Sequence, residues 1–567
     1  MKKIISILCL GSVFAFGSCD LDRFPETDMA DTNFWQTESD LKGACNELYS
    51  LLAFNKNQSS GNKDQKDNDN RYWYDNRADD IWTGSNDVSN GHRTVPNTSN
   101  DWSQPYIRIQ MANIILEKAA DMNLTEEVKN RYFAEARFFR AYYYFKLLKT
   151  YGEVPLITKA FKEITDPDLL KGRDSREDVL TQIYDDLDFA IQWLPSRAKL
   201  TAKDYGRATS GSAQALKARI GLYEGTRCKF HNYGDANKHL QIAVIASEAC
   251  MAQGYSLYPD YYKLFLEDGQ GAGNKEGVWI KVYGKTSDGA NIQTHNNSRQ
   301  LENTYAPTRN LIDMYLCADG LPYGKSPLVS KDEQSFNEVL ENRDPRLGMT
   351  VYKVGEPAYK GIFQAYAFGR TAYNFKKGYS QTDWDSNGGA VIDKMLIRYA
   401  EVLLNYAEAK YELNGSISDD DLEKTINVIR HRAGFEVKLT NAFVTANGLD
   451  MRGEIRRERS VELAGEGFRY DDLIRWKTAE TVLPKAIMGA RFTLSKATYL
   501  DANGNEKEMD EWNPEIESTL PLDADKRLVM EEAKFRTFNP QRDYLYPVPL
   551  NEISLSNGNV KQNPNWE

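Results

Sequence analysis

The 567-residue sequence has no excess of basic residues. It contains 71 lysines and arginines against 82 aspartates and glutamates, which gives a formal net charge of −11, and no basic run compensates for this balance. A protein that binds the phosphate backbone of a nucleic acid needs a basic face from which counterions are released. The composition therefore excludes nucleic acid as an expected partner.

Apolar runs long enough to cross a membrane are also missing. The N-terminal apolar stretch, residues 4–16, is shorter than the roughly 20 residues that a transmembrane helix needs. It follows two lysines and precedes Gly17-Ser18-Cys19, which is the order of a secretory signal with its small-residue cleavage site. We therefore predict a signal peptide over residues 1–18 that is removed from the mature protein.

The end of this signal points to a lipid anchor. Two small residues before Cys19 resemble the lipobox of bacterial lipoproteins, in which the cysteine thiol is acylated, although Phe16 stands where leucine is usual. Asp20 and Asp22 resemble the surface-export signal of lipoproteins in Bacteroidetes-type bacteria. These resemblances imply a lipid on Cys19 and an outer-membrane location facing the cell exterior. The alternative is an ordinary secretory peptide in which Cys19 is incidental.

Cysteine is scarce, with six residues in the whole chain. Cys9 lies in the signal and Cys19 is the lipidation site, so few thiols remain for the folded body. A predicted helix separates two of them by about 20 Å, too far for a disulfide. We therefore expect free thiols rather than a stapled scaffold. The four remaining residues are Cys45, Cys228, Cys250 and Cys317.

Long segments show apolar residues at helical spacing, and very few show the strict alternation of half-buried strands. The sequence thus predicts a mainly α fold with long irregular loops and a few short strands. Helix stops occur at Gly152, Gly415 and Gly434. The predicted helices cover residues 126–150, 175–194, 212–226, 236–253, 397–413, 420–432 and 453–476.

Two pairs of these helices are predicted to form antiparallel hairpins similar to tetratricopeptide units, namely 212–226 with 236–253 and 397–413 with 420–432. At this length a single core stops growing, so one large or two interleaved domains are expected. We place a boundary near residues 255–271. The prediction is an N-terminal region over 19–254 and a C-terminal region over 255–567 that contains a loop-rich insert.

Five motif stretches then resemble the SusD/RagB family of outer-membrane nutrient-binding lipoproteins over nearly the whole chain. The first reads FAEARFFRAYYYF and continues to YGEVPL, and a later one reads IRRER, followed by EL, GFRYDDL and RW. They occur in the family's order, together with the lipobox. The stretches lie at residues 133–156, 398–409, 455–476, 544–549 and 562–564.

This resemblance implies a helical body, a partner SusC-like TonB-dependent outer-membrane transporter, and a role in handing nutrient to that transporter. It implies binding rather than catalysis. We predict no cofactor and no metal-binding residues, and the sequence leaves open whether a structural cation is bound. The charged motif residues are expected to form buried or half-buried ion pairs that fix helix packing. These residues are Glu135, Arg137, Arg140, Glu458, Arg459 and Arg475.

A glycan presents apolar C–H faces and hydroxyl groups, so its site needs exposed aromatic rings and hydrogen-bonding side chains. The irregular stretch over residues 72–87 offers both, and Trp102 follows shortly after. In the family, loops after the first helix and the insert before the C-terminal helices line the ligand site, which adds Tyr305 as a further candidate. The predicted ligand-binding residues are Trp73, Arg77, Asp80, Trp82, Asn86, Trp102, Trp279 and Tyr283.

Other functions stay open at this point. A glycoside hydrolase needs two carboxylates across a cleft, and nothing in the sequence singles out such a pair. There is no nucleophile-elbow motif and only five histidines are present. A peptide in place of a glycan, as for RagB-type proteins, and a pure interaction scaffold are further alternatives. A zinc site from Cys228, His231, His239 and Cys250 would match no standard finger spacing.

Overall fold

The fold is described from a computed structural model. It covers residues 34–50, 52–53, 67–68, 75–163, 165–284, 295–330, 332–366 and 370–566. Cys19 and Trp73 lie outside the described residues. Within these ranges the chain is mainly α, as predicted. None of the helices in the described ranges is long and apolar enough to span a membrane.

The N-terminal half consists mostly of long helices. Three short strands lie between the first two helices, namely β1 (Leu52–Ala53), β2 (Asp67–Asn68) and β3 (Ile81–Trp82). The helices are α1 (Glu38–Ser50), α2 (Asp87–Asn90), α3 (Asn100–Ala120), α4 (Glu126–Tyr151), α5 (Arg176–Trp193), α6 (Ser210–His231) and α7 (Ala236–Met251).

The C-terminal half alternates short strands with shorter helices. The strands are β4 (Gly277–Lys281), β5 (Ala306–Pro307), β6 (Pro357–Ala358), β7 (Gly361–Ile362), β8 (Lys394–Arg398), β9 (Ile487–Arg491), β10 (Lys496–Leu500), β11 (Glu506–Asp510) and β12 (Arg527–Glu531). The helices are α8 (Asn297–Asn303), α9 (Arg309–Met314), α10 (Pro345–Thr350), α11 (Gln381–Ser386), α12 (Tyr399–Asn414), α13 (Asp419–Leu422), α14 (Val428–Arg432), α15 (Asn441–Ala446), α16 (Met451–Glu462), α17 (Arg469–Arg475), α18 (Ala479–Val482) and α19 (Leu550–Leu555).

The strands pair in twos. β1 and β2 are parallel. The other five pairs are antiparallel, namely β3 with β5, β4 with β8, β6 with β7, β9 with β12, and β10 with β11. Each ribbon is too small to form a core by itself. Two of the ribbons, β3 with β5 and β4 with β8, join segments that are more than 100 residues apart in the chain.

Helix boundaries follow local capping chemistry. Thr125 begins α4, because its side chain accepts a hydrogen bond from the Val128 amide, and Gly152 ends it with a φ of 78°. Thr209 and Ser212 form a reciprocal capping box at the start of α6. The predicted stops at Gly415 and Gly434 are also confirmed, since both adopt positive φ.

The two predicted hairpins are confirmed. α6 packs along α7, and α12 packs against the segment 419–432, in which a π-turn (Glu423–Asn427) joins α13 to α14. Glycine allows the closest approach within the first hairpin. A Cβ on Gly221 would lie 2.9 Å from the Ala243 amide nitrogen, and one on Gly225 would lie 2.8 Å from that of Leu240.

The predicted helix over residues 453–476 is wrong as a single element. The structure divides it into α16 and α17, because Gly465 and Gly467 between them have φ values of 72° and 79°. A residue in this left-handed conformation cannot continue a right-handed helix. The break turns the chain so that α17 packs against α6.

The expected motif ion pairs are confirmed, with one exception. Arg140 binds Asp186 with an Nη2–Oδ1 distance of 2.7 Å, and Arg475 binds Glu408 with an Nη1–Oε1 distance of 2.5 Å. Arg137 differs, since its guanidinium lies 4.2 Å from the centroid of the Phe189 ring. The other partners are Glu135 with Arg207, Glu458 with Arg346 and Arg430, and Arg459 with Asp472.

The largest hydrophobic cluster forms around α4 and contains residues from both sides of the predicted domain boundary, among them Tyr143, Leu216 and Trp279. The division at residue 254 stays a prediction. The four thiols predicted to be free, at Cys45, Cys228, Cys250 and Cys317, are unpaired and buried.

Candidate functional site

The segment that begins at Asp75 is tied to the turn between α16 and α17. The Asp75 carboxylate accepts hydrogen bonds from the amides of Gly467, at 2.7 Å, and Arg469, at 3.1 Å. The Arg469 guanidinium binds Asp79 with an Nε–Oδ1 distance of 2.8 Å. Burial raises the pKa of Asp75 to about 7. These acids fix the loop to a motif of the helical body.

Two predicted ligand residues in this segment serve the same anchoring role. Asp80 is 3% exposed, its backbone carbonyl accepts a hydrogen bond from the Thr308 amide, and burial together with Asp75 raises the pKa of its carboxyl. The Asp80 side chain is buried in the protein, and its contact with a ligand stays a prediction. Arg77 donates to the Tyr546 hydroxyl at 3.0 Å and lies over the Tyr470 ring, so it also makes internal contacts.

Three predicted aromatic residues belong to the core. Trp102 is 4% exposed and meets the Tyr151 ring edge-on at 4.9 Å. Trp279 is 1% exposed and lies between the rings of Phe138 and Tyr142. Tyr283 and the further candidate Tyr305 are buried as well, so none of these rings offers an open face, and ligand contact at Trp102, Trp279 and Tyr283 stays a prediction.

Asn86 has a structural role that explains its position. Its side-chain oxygen accepts hydrogen bonds from the amides of Val88, at 2.9 Å, and Ser89, at 3.3 Å, and so caps the start of α2. The cap orients the turn that follows β3. Asn86 therefore shapes the loop beside the predicted site.

Trp82 differs from the other predicted tryptophans of the described chain because its side chain is only partly buried. It lies on β3, paired with Ala306 of β5, and borders a pocket of about 480 Å³. We call this pocket the Trp82 pocket. It is lined by Trp82, Ser85, Asn90, His92, Val529, Met530, Glu531, Glu532 and Phe535.

The Trp82 pocket combines aromatic and polar surfaces. Phe535 is 55% exposed and supplies a second ring. Glu531 holds the polar side together, since its Oε1 accepts hydrogen bonds from Ser85 Oγ at 3.0 Å and Asn90 Nδ2 at 3.1 Å. Hydroxyl, amide and imidazole groups beside two rings can bind a molecule that has apolar faces and hydroxyl edges.

Sequence reasoning found Trp82 and missed the rest of this lining. His92 follows Trp82 closely in the chain, but Glu531 and Phe535 come from the C-terminal end. No local pattern connects β12 with β3. The hydrogen bonds of Arg536 to the Ser89 carbonyl and of Asn90 to Glu531 join the two segments.

The carboxylates of the Trp82 pocket do not form a hydrolytic pair. Glu531 is engaged by Arg536 on one oxygen and by Ser85 and Asn90 on the other. Glu532 binds Lys534 at 2.7 Å. The two glutamates are adjacent in sequence, so they do not face each other across a cleft as acid and base do in glycoside hydrolases.

The cysteines and histidines considered for a zinc site make separate contacts inside the protein. Tyr184 hydrogen-bonds His239 Nδ1 at 2.9 Å, and Cys250 contacts the Gly211 carbonyl. His231 Nε2 contacts the Ile474 carbonyl at 2.8 Å, and burial lowers the pKa of His231 to about 4. In the described part of the chain, no group of three or more suitable side chains could hold a metal ion.

Comparison with known proteins gives one consistent result. A "SusD-like protein" of Bacteroides ovatus is 27% identical over 505 residues, which cover 84% of this chain and 82% of the relative. The crystal structure of a SusD-like carbohydrate binding protein from Bacteroides fragilis is similar with a TM-score of 0.72 and 24% identity, covering 92% of this chain and 99% of that one. A surface glycan-binding protein A from Bacteroides thetaiotaomicron, solved with laminarihexaose, has a TM-score of 0.61 and 19% identity, covering 93% and 99%.

Two family models match the sequence. The model described as "Starch-binding associating with outer membrane" matches residues 21–222. The model described as the SusD family matches residues 275–566, which is more than half of the chain and includes α16, α17 and β12. The chain therefore belongs to the SusD family.

Proposed function

We propose that this protein binds an oligo- or polysaccharide at the Trp82 pocket, at the outer surface of the cell, and delivers it to a SusC-like TonB-dependent transporter. The observation that carries the proposal is the pair of accessible rings, Trp82 and Phe535, beside hydrogen-bonding groups in a chain of the SusD family. The relatives point in the same direction, since one is named for carbohydrate binding and another was solved with laminarihexaose. The proposed role is binding, not catalysis.

Replacing Trp82 with alanine should weaken glycan binding about thirtyfold, because removing an aromatic anchor from a binding site costs about 2 kcal/mol or more. The melting temperature should change little, since the ring is only half-buried. Calorimetric titration with the tightest-binding member of a polysaccharide and oligosaccharide panel measures the effect, and Phe535→Ala should act in the same direction.

Tyr366→Ala provides a matched control, because Tyr366 is 53% exposed and lies outside the lining of the Trp82 pocket. Its affinity should equal that of the wild type. Undiminished binding by Trp82→Ala would refute the assignment of the pocket. Failure of the wild type to bind any glycan, with binding of peptides instead, would favour the RagB-type alternative.

The proposed location rests on Cys19 and on the outer-membrane family description that matches residues 21–222. A lipid on Cys19 would keep the protein beside the transporter and raise their effective concentration without a tight interface. Cys19→Ala should therefore release the protein from the membrane fraction and impair nutrient uptake, while the affinity of the soluble protein for its glycan stays unchanged. Fractionation and calorimetry test the two parts, and a variant that still sediments with membranes would contradict the lipid anchor.

A further inference from the structure

A second pocket shares strand β12 with the Trp82 pocket and has a different character. Its volume is about 640 Å³, and charged side chains dominate its wall. We call it the arginine pocket. It is lined by Arg309, Asp313, Tyr323, Asp332, Met488, Arg491, Asp523, Asp525 and Arg527.

The β9–β12 ribbon connects the two pockets. Arg527 of β12 pairs with Arg491 of β9, and Val529 pairs with Met488. Leu528 is fully buried, whereas Arg527, Val529 and Glu531 are only partly buried, and the register of the ribbon shifts between Arg527 and Val529 and again between Val529 and Glu531. Arg527 lines the arginine pocket, whereas Val529 and Glu531 line the Trp82 pocket.

β12 lends side chains to both pockets along its length. Four residue steps of about 3.3 Å place the Cα atoms of Arg527 and Glu531 about 13 Å apart. Met488 and Val529 lie between the charged end and the aromatic end. A ligand that fills both pockets is therefore an extended chain rather than a single sugar ring.

The charges of the arginine pocket disfavour an anion. Arg309 binds the buried carboxylate of Glu333, at 2.8 Å, and also Asp313, at 2.8 Å. Arg491 binds Asp332 with an Nη1–Oδ1 distance of 2.8 Å. Asp523 and Asp525 complete the wall beside Arg527, so five carboxylates surround three guanidinium groups.

Neutral hydroxyl groups fit this arrangement better than charged groups. A hydroxyl both donates and accepts, so it can bond to a carboxylate on one side and to a guanidinium on the other. A carboxylate or sulfate group on the ligand would instead approach an excess of negative charge, and the repulsion would be strongest at low ionic strength.

We propose that the Trp82 pocket and the arginine pocket form one groove that binds an extended, uncharged glycan, and that the acidic wall of the arginine pocket selects against glycans carrying carboxylate or sulfate groups. This inference rests on the proposed function of the Trp82 pocket. It adds the charge class and the extended form of the ligand, and it assigns a second subsite to Arg491 and Arg527.

The first test is binding of the wild type and of Trp82→Ala to an array of neutral, uronate-containing and sulfated polysaccharides. The expected hits are neutral and are lost in the variant. A uronate-containing or sulfated glycan that binds as tightly as any neutral one, and depends on Trp82, would overturn the charge selection while leaving glycan binding intact. Binding of no glycan, or binding independent of Trp82, would overturn the proposed function itself.

The second test separates the two ends of the groove. A hexasaccharide prepared from the best neutral hit should bind more tightly than the disaccharide. Arg491→Ala should lower the affinity for the hexasaccharide about tenfold, as expected for loss of a hydrogen bond from a charged donor, and leave the disaccharide unchanged. An equal loss of affinity for the hexasaccharide and the disaccharide would show that the arginine pocket is no subsite.

The third test changes the charge of the wall. Asp332 and Asp525 have side chains 77% and 74% exposed, so Asp332→Asn with Asp525→Asn should preserve the fold. This double variant should bind a sulfated derivative of the neutral hit severalfold more tightly than the wild type does at low salt. The control pair Glu126→Gln with Asp188→Asn alters net charge equally on α4 and α5, at side chains 76% and 61% exposed. An equal gain in affinity for the sulfated glycan in both double variants would refute selection by the acidic wall of the arginine pocket.

Discussion

Glu462→Gln is expected to lower the free energy of unfolding by about 3–5 kcal/mol, the cost of removing one partner from a buried ion pair. The Glu462 carboxylate accepts from Arg398 at 2.6 Å and from Arg346 at 3.0 Å, and it also pairs with Arg432. Although burial opposes ionisation, these three guanidinium groups hold the pKa of Glu462 well below its usual range. Glutamine preserves the shape and removes the charge.

The cost follows from the balance of the whole buried network. Every member is nearly inaccessible, and the positive and negative groups are equal in number, so the substitution leaves one excess positive charge in the interior. The network joins Asp344, Glu276, Glu458, Glu462 and Glu466 to Arg346, Arg398, Arg430, Arg432 and Lys377.

Glu508→Gln is the matched control for this substitution. Glu508 pairs with Lys496 at 3.5 Å, and both side chains are more than half exposed, so the change should cost less than about 0.5 kcal/mol. Urea unfolding followed by tryptophan fluorescence measures both variants. Equal midpoints for Glu462→Gln and Glu508→Gln would contradict a stabilising role of the buried network.

Trp279→Ala should destabilise the protein by about 3–5 kcal/mol, as expected when a large aromatic side chain leaves a cavity in a core. Its ring meets Phe138 at 4.8 Å and Tyr142 at 5.1 Å between centroids, and the backbone of β4 pairs with β8 at this point. Affinity of the folded variant for the glycan should equal that of the wild type, because the ring lies in the core.

Trp279→Phe distinguishes packing from hydrogen bonding. The indole Nε1 is buried and has no hydrogen-bond partner among the described residues, so phenylalanine loses ring volume and no hydrogen bond. We expect a smaller loss of stability than for alanine, measured by the same urea titration. A loss of glycan affinity in either variant, at a temperature where both are folded, would show that Trp279 belongs to the binding site.

Long helices were predictable because their information is local. The stretch predicted over 126–150 is observed as Glu126–Tyr151, since its cap, its periodicity and its stop are all encoded within a few residues. α3 (Asn100–Ala120) was not predicted. Its start is rich in polar residues and contains Pro105, which is tolerated near the beginning of a helix but weakens the sequence signal.

The aromatic residues of the candidate site could not be sorted from the sequence, because exposure depends on distant partners. Trp279 and Trp82 both lie on short strands, and local composition does not tell them apart. α4 covers Trp279 with Phe138 and Tyr142, whereas Trp82 borders a pocket that β12 also lines. The motifs predicted the family. The position of the pocket was not predictable, because it depends on contacts between segments that are far apart in the sequence.

The tie between Asp75 and the amides of Gly467 and Arg469 has a consequence for the order of folding. The N-terminal helices can pack as soon as they are synthesised, because their contacts are close in sequence. The loop that carries Trp82 can pair with β5 and Thr308 first, but its Asp75 contact forms only when residues 467–469 arrive, and its pocket has no second wall until β12 and Phe535 follow. The binding surface is therefore completed near the end of folding, so a chain interrupted before β12 contains Trp82 but not the Trp82 pocket.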